Sequence, residues 1–218
     1  MRVVCYSAIY GNGYDTPKPV YNVGTKCVLF TDNPALMRPG AAPGWDVRFD
    51  LLPRFATPML RAKYWKCHPN LAVPEADVTL WIDGSIVPKD GFANRCVEAL
   101  GGDDVAFTPH PLRTCIYDEL DASIPLPKYN ARTMIRQVQT YREMGHPENW
   151  GLFASGIMAR RNTPAVNRLN MRWWGENWFW SWQDQLSLPV VTRNATDVSW
   201  NTNLPWAAWW DYAEHGTP

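Results

Sequence analysis

The chain carries no net charge: 21 lysines and arginines balance 21 aspartates and glutamates, so bulk electrostatics name no partner. It lacks any run approaching the roughly 18 to 20 apolar residues of a membrane-crossing helix. The opening MRVVCYSAIYGN is too short an apolar run for a signal peptide and reads as a first strand. Cysteine is scarce and unpaired in spacing. Cys5, Cys27, Cys67, Cys96 and Cys115 form no C-x-x-C, which excludes zinc-finger spacing and a disulfide framework and suits a reduced, cytoplasmic protein. No G-x-S-x-G elbow or H-E-x-x-H occurs, which argues against the hydrolases built on those motifs. Internal repeats and low-complexity linkers are missing too.

What is present is alternation. At 218 residues the chain is long enough for one large domain with a sizeable core. RVVCYSAIY, KCVLFTDNP and GWDVRFD read as strands, the first closed by Gly11-Asn12-Gly13. Residues 54–67 read as a helix, with Pro58 near its first turn and His68-Pro69 ending it. VTLW follows as a strand, then a helix over 91–100, a strand at DDVAFTP and a helix over 131–144. LFASGIMARR reads as a strand, TPAVNRLNMRWW as a helix capped by Thr163 with Pro164 at its first position, and WQDQLSL as a short helical turn. Such alternation predicts an α/β domain with a mainly parallel sheet flanked by helices.

In such sheets ligands sit beyond the carboxyl ends of the strands. The polar punctuation falls there: Gly11-Asn12, Thr31-Asp32, and Asp83-Gly84-Ser85 behind the apolar strand. Arg61, Lys63 and Lys66 lie on the preceding helix; positions 63 and 66 share a face and 61 is offset. Residues 126–175 concentrate basic charge (Lys128, Arg132, Arg136, Arg142, Arg160, Arg161, Arg168, Arg172) against only Glu143 and Glu148, which would suit a polyanion or a solvated face. Ten of thirteen tryptophans lie from Trp150 onward. Most are expected in the core, with two or three in a ligand cleft.

The succession YSAIYGNGYD, CVLFTDNP, RAKYWKCHPN…PEADVTLWIDGSI, HPLRTCIYDEL, YREMGHPENWGLFASGIMARRNTP and WW…SWQDQLSLP resembles the plant mucilage-related and turgor-regulation-defect glycosyltransferase-like domain. It covers about residues 3 to 190. The layout is also similar to retaining GT-A glycosyltransferases of the glycogenin and galactosyltransferase kind. There a basic helix precedes a strand ending in D-x-D, a later strand carries F-N-x-G, and D-Q follows. Phe153-Ala154-Ser155-Gly156 stands where F-N-x-G would stand.

The resemblance implies a GT-A-like domain over 1–190 and a Trp-rich tail over 191–218 packed on it. It implies a nucleotide-diphosphate sugar, a UDP-sugar first, as donor. Tyr6, Ser7, Ala8, Asp32, Arg61, Lys63, Lys66, Asp83, Gly84, Ser85, Ser155 and Gly156 would bind that donor. Asp184 and Gln185 would act on the sugar, and Asp118, in YDEL, would deprotonate an acceptor. Mn²⁺ or Mg²⁺ would sit on Asp83, with Ser85 and His110 as further candidate ligands, to neutralise the departing diphosphate. The sequence departs from D-x-D at Ser85, a hydroxyl where a carboxylate is wanted. If the metal is absent, Arg61, Lys63 and Lys66 must supply the positive charge. Three functions follow: sugar transfer to a saccharide or glycoconjugate, sugar transfer to a hydroxymethylated base in DNA, and a non-catalytic carbohydrate-binding module.

Overall fold

The computed structural model describes residues 1–11, 16–51, 56–204 and 210–212. Asn12-Gly13, the start of the helix expected from residue 54, and most of PWAAWWDY lie outside them. The chain opens with strands β1 (Val3–Ile9) and β2 (Lys26–Thr31), a 3₁₀ turn (Pro34–Met37) and β3 (Asp46–Phe49). Helices α1 (Pro58–Cys67) and α2 (Pro69–Ala72) lead to β4 (Val78–Ile82) and the short β5 (Ile86–Pro88). Helix α3 (Phe92–Leu100), β6 (Val105–Pro109), α4 (Ile116–Ser123) and α5 (Ala131–Glu143) precede β7 (Phe153–Arg161). Helices α6 (Pro164–Phe179) and α7 (Asp184–Arg193) and strands β8 (Trp200–Asn201) and β9 (Trp210–Tyr212) complete it.

The main sheet runs β3-β2-β1-β4-β7-β6-β8, and β5 pairs with β9 in a small second sheet. Strands β3, β2, β1 and β4 are mutually parallel, with Tyr6 opposite Val28 on one side and Trp81 on the other. Strand β7 is antiparallel to both β4 and β6, and β8 is parallel to β6. The sheet is therefore mixed and mostly parallel, as expected. Strands β1 and β4 have helices on both faces, which is why VVCYSAI and VTLWI are apolar almost throughout rather than alternating.

The pleat sorts the core into two layers. Val4, Tyr6, Ala8, Val28, Phe30, Trp81, Phe107 and Met158 pack against α1, α6 and α7 through Trp65, Leu169, Trp173, Leu188 and Val191. Cys5, Cys27, Leu80, Ile82, Ala106, Ile157 and Ala159 point to the other face, where α3 seats Phe92, Cys96 and Leu100. All five cysteines are free and buried.

Local chemistry starts the helices. The Thr57, Asn130 and Thr163 side chains accept from Leu60, Thr133 and Val166 N–H groups, and Pro58 and Pro164 occupy opening positions. Two helices exceed the sequence expectation. Helix α6 continues past Trp174 and Gly175 to Phe179 because Trp173 and Asn177 stay buried on one face. Helix α7 is ten residues rather than a turn. Pro189 loses one hydrogen bond in its interior, and buried Leu186, Leu188, Val190 and Val191 offset that loss. Helix α7 thus runs past residue 190, and β8, beyond it, adds a strand to the main sheet.

Candidate functional site

Strand β1 has its sequence successor β2 on one side and β4 on the other, so the chain order reverses between β1 and β4. A crevice opens at the carboxyl ends of these two strands, where such sheets take ligands. The cleft measures about 290 Å³. Ala8 and Ile9 of β1 and Tyr10 just after it, Lys63 and Lys66 from α1, and Asp83, Gly84 and Ser85 after β4 line it. Ala154, Ser155 and Gly156 of β7 and Asp184 and Gln185 of α7 form the floor, and His110, Lys128, Tyr129 and Trp182 face them.

At its base four charged groups from three distant segments converge. Lys63 Nζ donates to Asp184 Oδ2 at 2.5 Å, and Lys66 Nζ lies 2.8 Å from the same oxygen. Lys66 also donates to Asp83 Oδ1 and Ser155 Oγ, each at 3.2 Å. All three ammonium protons of Lys66 thus have acceptors, and its side chain is 0% exposed. Its charge also lies over the Trp81 and Trp173 rings, at 5.5 and 5.7 Å.

Burial pushes the Lys63 pKa down against the opposing pull of Asp184. In Lys66 burial acts the same way, but the Asp184 and Asp83 charges outweigh it and the pKa is raised. Burial would raise the Asp184 carboxyl, yet the two lysines win and hold it well below its ordinary range. Asp83 is different: its side chain is 38% exposed to the cleft, steered by the Trp81 indole N–H at 2.6 Å.

Two interior networks hold these groups. Arg160 of β7, 1% exposed, donates through Nη1 to the Lys66 carbonyl and to Asn170 Oδ1, each at 2.9 Å, and through Nη2 to Tyr6 Oη at 2.6 Å. It caps the last turn of α1 and so fixes the backbone that carries Lys66. Buried Glu119 accepts from Arg113 Nε at 2.6 Å and from Gln183 Nε2 at 2.7 Å. Gln183 is the residue preceding α7, so Glu119 sets where Asp184 begins that helix.

The structure brings together Ala8, Lys63, Lys66, Asp83, Gly84, Ser85, Ser155, Gly156, Asp184 and Gln185. His110 also lines the cleft, whereas Tyr6, Ser7, Asp32, Arg61 and Asp118 do not. Tyr6 is 0% exposed beneath the sheet surface, with its hydroxyl committed to Arg160 and Lys66. Ser7 is equally buried on β1. Asp32 accepts from the Gly11 N–H at 2.9 Å and pairs with Arg61 at 3.4 Å, locking the β1–α1 corner outside the cleft lining. Asp118 is exposed on α4, away from the cleft; its neighbour Glu119 is the one that turns inward.

A divalent cation does not fit this donor set. The position between the two carboxylates is taken by the Lys66 ammonium, whose charge would repel a metal sharing those oxygens. His110 cannot complete a metal shell. Its Nδ1 accepts from the Leu112 and Arg113 N–H groups, and its Nε2 faces the Arg113 guanidinium and Glu119. Burial lowers its pKa, which favours the neutral ring. Ser85 leaves only a hydroxyl. Among the described residues no cluster of three or more metal-ligating His, Cys, Asp or Glu side chains exists.

Sequence reasoning missed Arg160, Glu119, Gln183, Tyr129 and Trp182. Only Arg160 carried a signal, an arginine whose pleat neighbour Met158 faces the core.

No protein-family model and no curated protein matches the chain. Among solved structures, one similar chain is the bifunctional glycosyltransferase WbbM in its apo form, with 14% sequence identity and a TM-score of 0.48. The similarity covers 88% of this chain and 38% of that one. Among the described residues no helix is long and apolar enough to cross a membrane.

Proposed function

We propose that the chain is a nucleotide-sugar-dependent glycosyltransferase, taking a UDP-sugar first, that acts in the cytoplasm on a saccharide or glycoconjugate hydroxyl. The observation that carries this reading is the convergence of Lys63, Lys66, Asp83 and Asp184 in a cleft at the β1–β4 crossover. The diphosphate would lie against the lysines, with the nucleoside towards Ala8 to Tyr10 and the sugar over Asp184 and Gln185. As the bond from the anomeric carbon to the diphosphate oxygen breaks, that oxygen keeps the electron pair. The acceptor hydroxyl forms the new bond to the same carbon, and its proton goes to the departing diphosphate. Positive charge aimed at the leaving oxygen is where a preorganised site gains most.

Retention of configuration is part of the proposal. An inverting enzyme needs a general base on the acceptor side. Both carboxylates that line the cleft, Asp83 and Asp184, are paired with Lys66, the second held ionised well below its ordinary range, and His110 Nδ1 is already taken by two backbone N–H groups, so each is a poor base. The Tyr129 and Trp182 rings, 6.4 Å apart, suit the C–H face of a sugar acceptor.

The basic excess over 126–175 does not form one surface. Arg160 is interior, the Arg161 guanidinium bonds the Asp103 and Gly101 carbonyls, and Arg168 pairs with Asp197. That dispersal favours a glycan over DNA. A nucleotide-release assay with a panel of nucleotide sugars, run with oligosaccharides and with hydroxymethylated DNA, tests the reading. Acceptor-dependent release with a glycan is expected, with the α or β anomer of the donor kept in the product. Glycan binding without release from any donor would mark a binding module instead, and transfer to DNA would replace the acceptor class.

A further inference from the structure

Resting on the nucleotide-sugar reading, we propose that Lys63 binds the donor's diphosphate directly, with the enclosed Lys66 as a fixed positive charge behind it, and that the site works without a divalent cation. Asp184 Oδ2 already shows the geometry. One anionic oxygen sits 2.5 Å from one ammonium and 2.8 Å from the other, which is how a bridging phosphate oxygen would be held. That carboxylate is the counter-ion of the pair.

The two lysines differ in freedom. Lys66 is fully enclosed, its three protons taken by Asp83, Asp184 and Ser155, so it is a fixed charge. Lys63 keeps 15% of its side chain exposed at the cleft and is the one able to swing from Asp184 to an arriving phosphate.

The surrounding charge also favours an anion. Lys63 and Lys66 cancel Asp83 and Asp184, but Arg160 lies just beneath, bonded to neutral acceptors alone (the Lys66 carbonyl, Asn170 and Tyr6). Among the described residues no carboxylate forms a salt bridge with it. The site therefore keeps an unbalanced positive charge in a poorly solvated place, where its field on a diphosphate is strong. A metal-dependent site would instead present an excess of carboxylates.

Calorimetric titration of the full chain with UDP, GDP and ADP, in EDTA and in Mn²⁺, tests this. At least one nucleotide should bind with affinities in the two buffers agreeing within about twofold. Lys63→Gln should weaken that binding at least about tenfold, a loss of about 1.4 kcal/mol. Lys66→Arg serves as the second variant, with near-ultraviolet circular dichroism checking that each variant is folded. Lys26→Ala, which removes a surface pair with Asp46, should change nothing. Binding that requires Mn²⁺ overturns the inference and leaves the glycosyltransferase reading standing. Metal-free binding indifferent to both lysine variants also overturns it. Failure of every nucleotide in both buffers overturns the inference and the donor reading together.

Discussion

Asp83 and Asp184 touch the same ammonium, yet their surroundings assign them opposite sensitivities. Asp184 is 5% exposed and neutralises two buried lysines. Asp184→Asn should therefore destabilise the fold by about 3–5 kcal/mol, the usual result of leaving a buried charge unpaired. Urea unfolding of the variant measures it. Asp83 is open to the cleft, and Lys66 retains Asp184 and Ser155 without it. Asp83→Asn should shift the unfolding midpoint little and, by removing a charged acceptor for a sugar hydroxyl in the cleft, lower turnover by about ten- to a hundredfold. Near-normal turnover would reduce Asp83 to a turn residue, in keeping with its carbonyl accepting the Ile86 N–H at 3.0 Å.

At the scale of elements, scaffold and site separate cleanly. The loop between β1 and β2 is fastened to the approach to β3: Val20 N–H donates to the Pro43 carbonyl and Trp45 Nε1 to the Lys18 carbonyl. Gly44, at φ +82°, makes this possible, since a Cβ there would lie 2.1 Å from the Val20 carbonyl oxygen. Gly44→Ala should cost about 2 kcal/mol or more in urea unfolding and leave nucleotide affinity unchanged, because Gly44 is no part of the cleft. An equal loss of affinity would tie this loop to the site.

The elements themselves were largely legible in the sequence, because caps and periodicity are local. Thr163-Pro164 opened its helix as expected, the helix expected from residue 54 starts instead at Pro58 behind the Thr57 cap, and Lys63 and Lys66 share the face their spacing gave. The direction of β7 was not legible. Antiparallel pairing with both β4 and β6 follows from where the chain returns, not from the composition of FASGIMARR. Nor was the fate of individual charges. Asp118 and Glu119 are adjacent in sequence, but a helix turns neighbours about 100° apart, so one is solvated and the other buried against Arg113. Asp32 and Arg61 satisfied each other across 29 residues, a pairing no local pattern announces.

Across the whole molecule, buried imidazoles set the response to acid. Burial lowers the pKa of His68, His110 and His146, the last to about 4 with Arg193 contributing. His146 is 6% exposed, and its Nδ1 has no hydrogen-bond partner among the described residues. Unfolded histidines bind a proton near pH 6.5, so between about 6.5 and 4 the unfolded chain holds protons that the folded chain refuses. Stability is then complete above pH 6.5 and declines as pH falls through that window, by on the order of 1–3 kcal/mol. Asp184 adds a second, lower phase. Its folded pKa is depressed, so its contribution is present above the ordinary carboxylate pKa of about 3.8 and is lost only below it. Urea midpoints at pH 7, 5.5 and 4.5 should fall in order. His146→Leu, which has no proton to refuse, should give a shallower slope between pH 6.5 and 4 while keeping the lower phase. A flat response of the parent chain between pH 7 and 4.5 would show that these rings accept protons in place, with a local opening around α5 that exposes His146 to water.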